Sequence, residues 1–140
     1  MQKVILITGI STGFGRKTAE MLAERGHIVY GTVRKQTEVK PGINVLTMDL
    51  TDQKSVKLAV EQVIQKEGRI DVLINNAGVH TGGAIETTSL ENARLQLDTN
   101  IMGLVYMLRE VLPVMRKQNH GTLINFSSIG GLMGLPFQGF

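Results

Sequence analysis

Thr8-Gly9-Ile10-Ser11-Thr12-Gly13-Phe14-Gly15 follows directly on Val4-Ile5-Leu6-Ile7, and the reading of this stretch decides the fold. A continuous β-branched and aliphatic run from Val4 to Thr8, ended by a glycine, reads as a strand buried on both faces. The period then changes: Phe14, Thr18, Met21 and Leu22 fall at helical spacing, and the pattern ends near Gly26. A strand, a G-x-x-x-G-x-G turn and a helix therefore stand in succession. Glycines let backbone approach a bound group closely, and the unpaired N–H groups of a helix start supply donors and partial positive charge. That combination suits a diphosphate, although the spacing differs from the G-x-G-x-x-G fingerprint.

Working outward, Ile28 to Val33, Asn44 to Met48, Val72 to Ile74 and Thr122 to Phe126 read as four further strands. Glu38 to Gly42, with Pro41, reads as a loop. Thr51 and Asp52 are good helix caps, and Val56, Ala59, Val60, Val63 and Ile64 keep helical spacing up to Gly68. A long helix is expected from Ser89 to Met115, with Leu97, Ile101, Leu104, Val105, Leu108 and Leu112 on its buried face and Pro113 tolerated near the end. Strand and helix alternate without hairpin signals, so the strands should be parallel and joined by right-handed crossovers. The expectation is one α/β domain over 1–140, a doubly wound parallel sheet, without linker or internal repeat.

Composition narrows the function classes. With 140 residues, 42% hydrophobic and 19% charged, the chain has enough apolar material for a core of its own. No Cys is present, which excludes thiolate sites and disulfides. Trp is absent, and 4% aromatic content argues against a stacking surface for single-stranded nucleic acid. The +3 charge comes from scattered basic residues, which argues against nucleic acid as a partner. No run approaches the about 18 apolar residues of a membrane span, and the reading is cytoplasmic. His27, His80 and His120 are far apart in sequence and read as no metal site.

In doubly wound sheets ligands bind beyond the carboxyl ends of the strands. Those positions hold Val33-Arg34-Lys35, Asp49-Leu50, Asn75-Asn76-Ala77-Gly78 and Ser127-Ser128. Gly9 to Gly13 also matches G-x-S-x-G, the nucleophile elbow of hydrolases, with Asp98 and His120 following in the required order. However, Ser11 would then lie on the first strand, with no earlier loop to supply an oxyanion donor, and Gly15 would be unexplained.

In order, T-G-x-x-x-G-x-G, Asp49, N-N-A-G, Asn100 in the long helix and Ser128 after the fifth strand resemble the landmarks of the short-chain dehydrogenase/reductase family, in its shorter single-domain branch. The resemblance implies a Rossmann-like fold, incomplete at the C-terminus, and hydride transfer between a nicotinamide dinucleotide and a small-molecule carbonyl or secondary alcohol. It implies that Gly9, Gly13 and Gly15 shape the diphosphate turn, with Ser11, Thr12 and Phe14 beside the cofactor. Asp49 and Leu50 would meet the adenine, while Asn76, Ala77 and Gly78 pass beside its ribose. Asn75 and Asn76 also read as a clasp between strands.

Val33 stands where relatives that prefer NAD carry an acid, and Arg34 with Lys35 comes next, so the reading favours NADP; the lack of a basic residue at Thr12 keeps NAD open. The resemblance makes Ser128 a catalytic donor to the substrate oxygen, and Asn100 a residue that kinks its helix and holds a water on a proton relay. The family's catalytic Tyr and Lys would fall just beyond Phe140, so residues 1–140 alone are expected to be inactive. The competing expectation is a non-enzymatic dinucleotide sensor. Leu132 to Phe140 is similar to hydroxysteroid and retinol dehydrogenases, which implies an apolar substrate. Family members often pair through the long helix, which implies a homo-oligomer.

Overall fold

A computed structural model describes residues 1–139. Val4–Thr8 forms β1, and all of its residues are buried, as an uninterrupted apolar run requires. The chain continues through α1 (Gly13–Glu24), β2 (Ile28–Val33), β3 (Ile43–Thr47), α2 (Gln53–Glu67) and β4 (Val72–Asn75). Then come α3 (Leu90–Leu97), a π-helical segment (Asp98–Met102), α4 (Gly103–Gln118), β5 (Thr122–Asn125) and a 3₁₀ turn (Ile129–Gly131). The strand order is β3-β2-β1-β4-β5, and every pairing is parallel.

Alternation along β1 divides the core. Val4 and Leu6 pack with Tyr30 and Leu73 against Val56, Val60 and Val63 of α2 and Met107, Val111 and Met115 of α4. Ile5 and Ile7 pack with Val29, Val72 and Ile74 against Ala19 of α1. Burying each such side chain stabilises the fold by about 1.5–3 kcal/mol. Helices thus cover both faces, as the doubly wound expectation requires. The chain leaves β1 toward β2 and β3, then crosses back to β4 and β5. The carboxyl ends of β1 and β4 therefore form the switch point where a crevice opens.

Local signals match their roles. The Asp52 carboxylate caps α2 by accepting from Lys54 N, so Asp52 rather than Thr51 is the cap. Gly68 ends that helix in the left-handed region, at φ 72°. At the amino ends of the strands, Asp71 Oδ2 accepts from Val4 N at 2.7 Å and from Arg69 Nε at 3.1 Å, while Oδ1 faces His120 Nε2 at 3.0 Å.

Two expected helix faces hold only in part: Leu22 of α1 and Leu108 of α4 pack against the core as expected. On α1, Phe14 and Met21 are exposed, and the buried positions are Gly15, Ala19 and Glu20, the last paired with Arg16 and Lys40. The single long helix is interrupted by the π segment, and Leu97, Ile101, Val105 and Leu112 are exposed. The buried stripe instead reads Ala93, Gln96, Gly103, Met107, Val111 and Met115. Its first half is small and polar because backbone comes close there. A Cβ on Gly103 would lie 2.8 Å from Leu50 Cβ, and Gln96 Oε1 accepts from Thr81 N at 2.6 Å.

Candidate dinucleotide site at the switch point

The turn after β1 is built by three close approaches. Gly9 adopts φ +74°, and its amide and that of Ile10 both donate to Thr32 O, at 3.1 and 3.0 Å, which pins the turn to β2. A Cβ on Gly9 would lie 2.8 Å from Ala77 Cβ. A Cβ on Gly15 would overlap both the Gly9 carbonyl and the Asn76 side chain. Thr12 caps α1 in an extended conformation without a side-chain hydrogen bond, which leaves first-turn amides to face an anion.

Asn76 does structural work at this turn. Its Nδ2 donates to the carbonyls of Thr8 and Gly9, both at 2.9 Å. The amides of Asn76 and Ala77 donate to Thr8 Oγ1, both at 3.0 Å. The clasp reading of this stretch therefore holds, with the Asn76 side-chain nitrogen committed to the turn after β1. Asn75 continues the clasp sideways, donating from Nδ2 to Asn125 Oδ1 at 2.9 Å.

These segments enclose a cleft of about 300 Å³ lined by Gly9, Ser11, Thr12, Phe14, Gly15, Arg34, Asp49, Leu50, Asn76, Ala77 and Gly78. All of these were expected from the sequence. Gly13 lies outside the lining, and so does Ser128. Ser128 instead caps the 3₁₀ turn, its Oγ accepting from Gly130 N at 3.3 Å, and it is exposed. The lining also contains Thr32, Val33, Met48, Thr51, Val79, Leu95 and Thr99. Sequence reasoning missed Thr32 and Met48 because they read as ordinary strand residues. Leu95 and Thr99 were missed because the helix carrying them was given the wrong face.

Asp49 Oδ1 accepts from Thr51 N at 2.9 Å and from Thr51 Oγ1 at 2.7 Å. These two bonds hold its carboxyl below the usual range against the opposing effect of burial, and the Arg34 guanidinium adds a smaller pull. The group is therefore a carboxylate at neutral pH, able to accept from an amino group. Asn100, in the π segment, accepts from Val79 N at 2.9 Å and donates to Val79 O at 2.8 Å. Both ends of its amide are thus committed to the loop leaving β4. Among the described residues no cluster of His, Asp and Glu could hold a metal.

An open parallel sheet, a glycine-lined crevice at the switch point and free helix-start amides fit a dinucleotide. The family model for short chain dehydrogenases matches residues 3–140, and the chain belongs to that family. It is 54% identical over 138 residues to a 3-ketodihydrosphingosine reductase of Bacteroides thetaiotaomicron, covering 99% of this chain and 51% of that one. It is 38% identical over 151 residues to the human 17-beta-hydroxysteroid dehydrogenase type 1, covering 96% of this chain and 45% of that one. A solved structure of ElxO with NADP bound superposes with a TM-score of 0.90 at 30% identity, covering 99% of this chain and 60% of that one. The chain spans about half the length of the curated relatives it matches. Phe140, the last residue of the stretch similar to hydroxysteroid and retinol dehydrogenases, lies outside the described residues. No helix among them is long and apolar enough to cross a membrane.

Proposed function

We propose that the complete polypeptide is a cytoplasmic, NADP(H)-dependent oxidoreductase that interconverts an apolar ketone and its secondary alcohol. The observation that carries this reading is the cradle made by Gly9, Gly15 and the Asn76 clasp, which brings backbone to the crevice at the turn after β1. When bound, the coenzyme supplies or accepts the hydride.

The protein's own residues bind and orient. First-turn amides of α1, with Ser11 and Thr12 beside them, receive the diphosphate. Asp49 and Leu50 receive the adenine, and Ala77 and Gly78 run beside its ribose. Arg34 stands at the end of β2 in the cleft wall, where a guanidinium favours the 2′-phosphate of NADP over the free hydroxyl of NAD. Support for NADP over NAD also comes from the NADP-bound ElxO structure.

Ser128 donates its hydroxyl to the substrate oxygen as negative charge develops there. Asn100 fixes the Val79 loop, which lines the cleft. Residues 1–140 carry no Tyr-x-x-x-Lys motif, so on their own they turn over no substrate. An apolar substrate is supported by the likeness to a 3-ketodihydrosphingosine reductase and a 17-beta-hydroxysteroid dehydrogenase. The exposed α3–α4 face with Leu97, Ile101 and Leu112 is the surface through which copies of the protein would pair.

The test is titration calorimetry of the complete polypeptide with NADPH and NADH, followed by a spectrophotometric assay with long-chain and short-chain ketones. Saturable NADPH binding and faster turnover of long-chain ketones are expected. No heat with either dinucleotide would overturn the reading.

A further inference from the structure

Thr8 Oγ1 accepts from the amides of Asn76 and Ala77, which occupies both of its lone pairs. Its own O–H donates to no acceptor among the described residues. Asn75 shows the converse. Its Nδ2 donates to Asn125, while its Oδ1 is buried without a donor, in a residue only 8% exposed. Buried polar atoms left single are costly, and in folded proteins such atoms are paired with protein or with ordered water. Thr8 and Asn75 line the same small cavity, of about 40 Å³, whose walls also carry Asn125, Thr99 and Asn100.

We propose that one ordered water occupies this cavity, accepting from Thr8 Oγ1 and donating to Asn75 Oδ1. The space suffices, since a water needs about 10–15 Å³ of such volume and two to four polar partners. Asn125 and Thr99, which line the same cavity, offer the remaining partners. Turning over both the Asn75 and Asn125 amides leaves a nitrogen in place of Oδ1, and the water then accepts there instead.

The water fixes the Thr8 hydroxyl rotor. With its proton held by the water, both lone pairs stay on the amides that set the Asn76–Ala77 wall of the cleft. Asn75 is thereby a positioning residue for coenzyme, acting through water and Thr8; this consequence rests on the dinucleotide reading of the cleft.

A crystal structure of the complete wild-type polypeptide tests the site directly. A water within hydrogen-bond distance of both Thr8 Oγ1 and Asn75 Oδ1 is expected, and a dry cavity would overturn the proposal whether or not any variant folds. Asn75→Leu keeps the branched shape and removes the acceptor, together with the donor to Asn125. It should empty the site and raise the NADPH Kd about fivefold, the effect of one lost neutral hydrogen bond, with the loss falling on Kd rather than kcat. A folded Asn75→Leu protein with wild-type Kd would overturn the positioning role. A wild-type protein that holds the water yet binds no dinucleotide would support the site while sinking the functional reading.

Discussion

The Asn76 side chain crosses directly over Gly15, donating to the carbonyls of Thr8 and Gly9 in space that a Cβ on Gly15 would fill. The last glycine of the turn is thus required by a side chain arriving from β4 as well as by any ligand. Gly15→Ala forces the clasp apart, and overpacking of this kind costs about 1–3 kcal/mol. A lower urea midpoint and a weakened NADPH affinity are expected together. A variant that binds as tightly and unfolds at the same urea concentration as wild type would contradict the clasp.

Arg34 is exposed at the end of β2 and lines the cleft. Removing a guanidinium that meets a phosphate costs about 1.5–3 kcal/mol, tenfold or more in affinity. Arg34→Ala should raise the NADPH Kd by that factor and leave the NADH Kd nearly unchanged. Equal effects on both coenzymes in calorimetry would remove Arg34 from the specificity argument.

Ser128 lies outside the dinucleotide cleft, so coenzyme binding and substrate activation should separate there. In the complete polypeptide Ser128→Ala is expected to lower kcat by about 10²–10³ with the NADPH Kd unaltered, the loss typical of one oxyanion donor. Stopped-flow kinetics and calorimetry on the same preparation read the two quantities.

Asn100 closes two hydrogen bonds on the Val79 backbone, and its substitution strands both of those groups. Asn100→Leu should destabilise the protein by about 2 kcal/mol, from orphaned backbone groups, and speed hydrogen exchange at Val79. Unchanged exchange at that amide would show that the loop holds itself.

His120 faces acceptors on both sides, Asp71 Oδ1 at 3.0 Å and the Gln118 carbonyl at 2.9 Å, so both ring nitrogens are satisfied only in the imidazolium form. The bond to Asp71, then that to Gln118, raises its pKa above the ordinary value, while Arg69 opposes. A raised folded-state pKa contributes stability that is complete below the unfolded value of about 6.5 and disappears as pH rises through the folded value. For Asp71, burial alone would raise the pKa, but the Val4 amide, His120 and Arg69 together lower it. Its contribution is complete above the usual carboxylate range and fades as pH falls through the lowered value. Urea midpoints should therefore decline as pH rises from about 6.5 through the raised folded-state value of His120. His120→Gln should flatten that decline, and NMR titration should give His120 a pKa above that of a model peptide. A His120 pKa at or below the peptide value would refute the His120–Asp71 pairing.

The strand ends were legible in the sequence because parallel strands buried on both faces leave little choice of residue: Val4 to Ile7 must be apolar, and the chain must turn once β1 ends. The glycine spacing, Asp49 and N-N-A-G were readable for the same reason, since each stands at a boundary between two periodicities. The helix from Leu90 to Gln118 was misread in most of its buried face, Leu108 excepted. Its leucines outnumber those one face can bury. The sheet and the Val79 and Leu50 loops select Ala93, Gln96, Asn100 and Gly103 for closeness and hydrogen bonding, which hydrophobic spacing does not register.

Local pattern alone thus determined the element order, the parallel sheet and the place of the crevice, because periodicity and turn chemistry act within a few residues. Which groups remain free to meet a ligand was decided by tertiary contact. Asn76 is committed to Thr8 and Gly9, and Asn100 to Val79, pairings of which the first joins residues 68 positions apart. A polar side chain shows in sequence what it can bond, and the folded neighbourhood settles what it does bond.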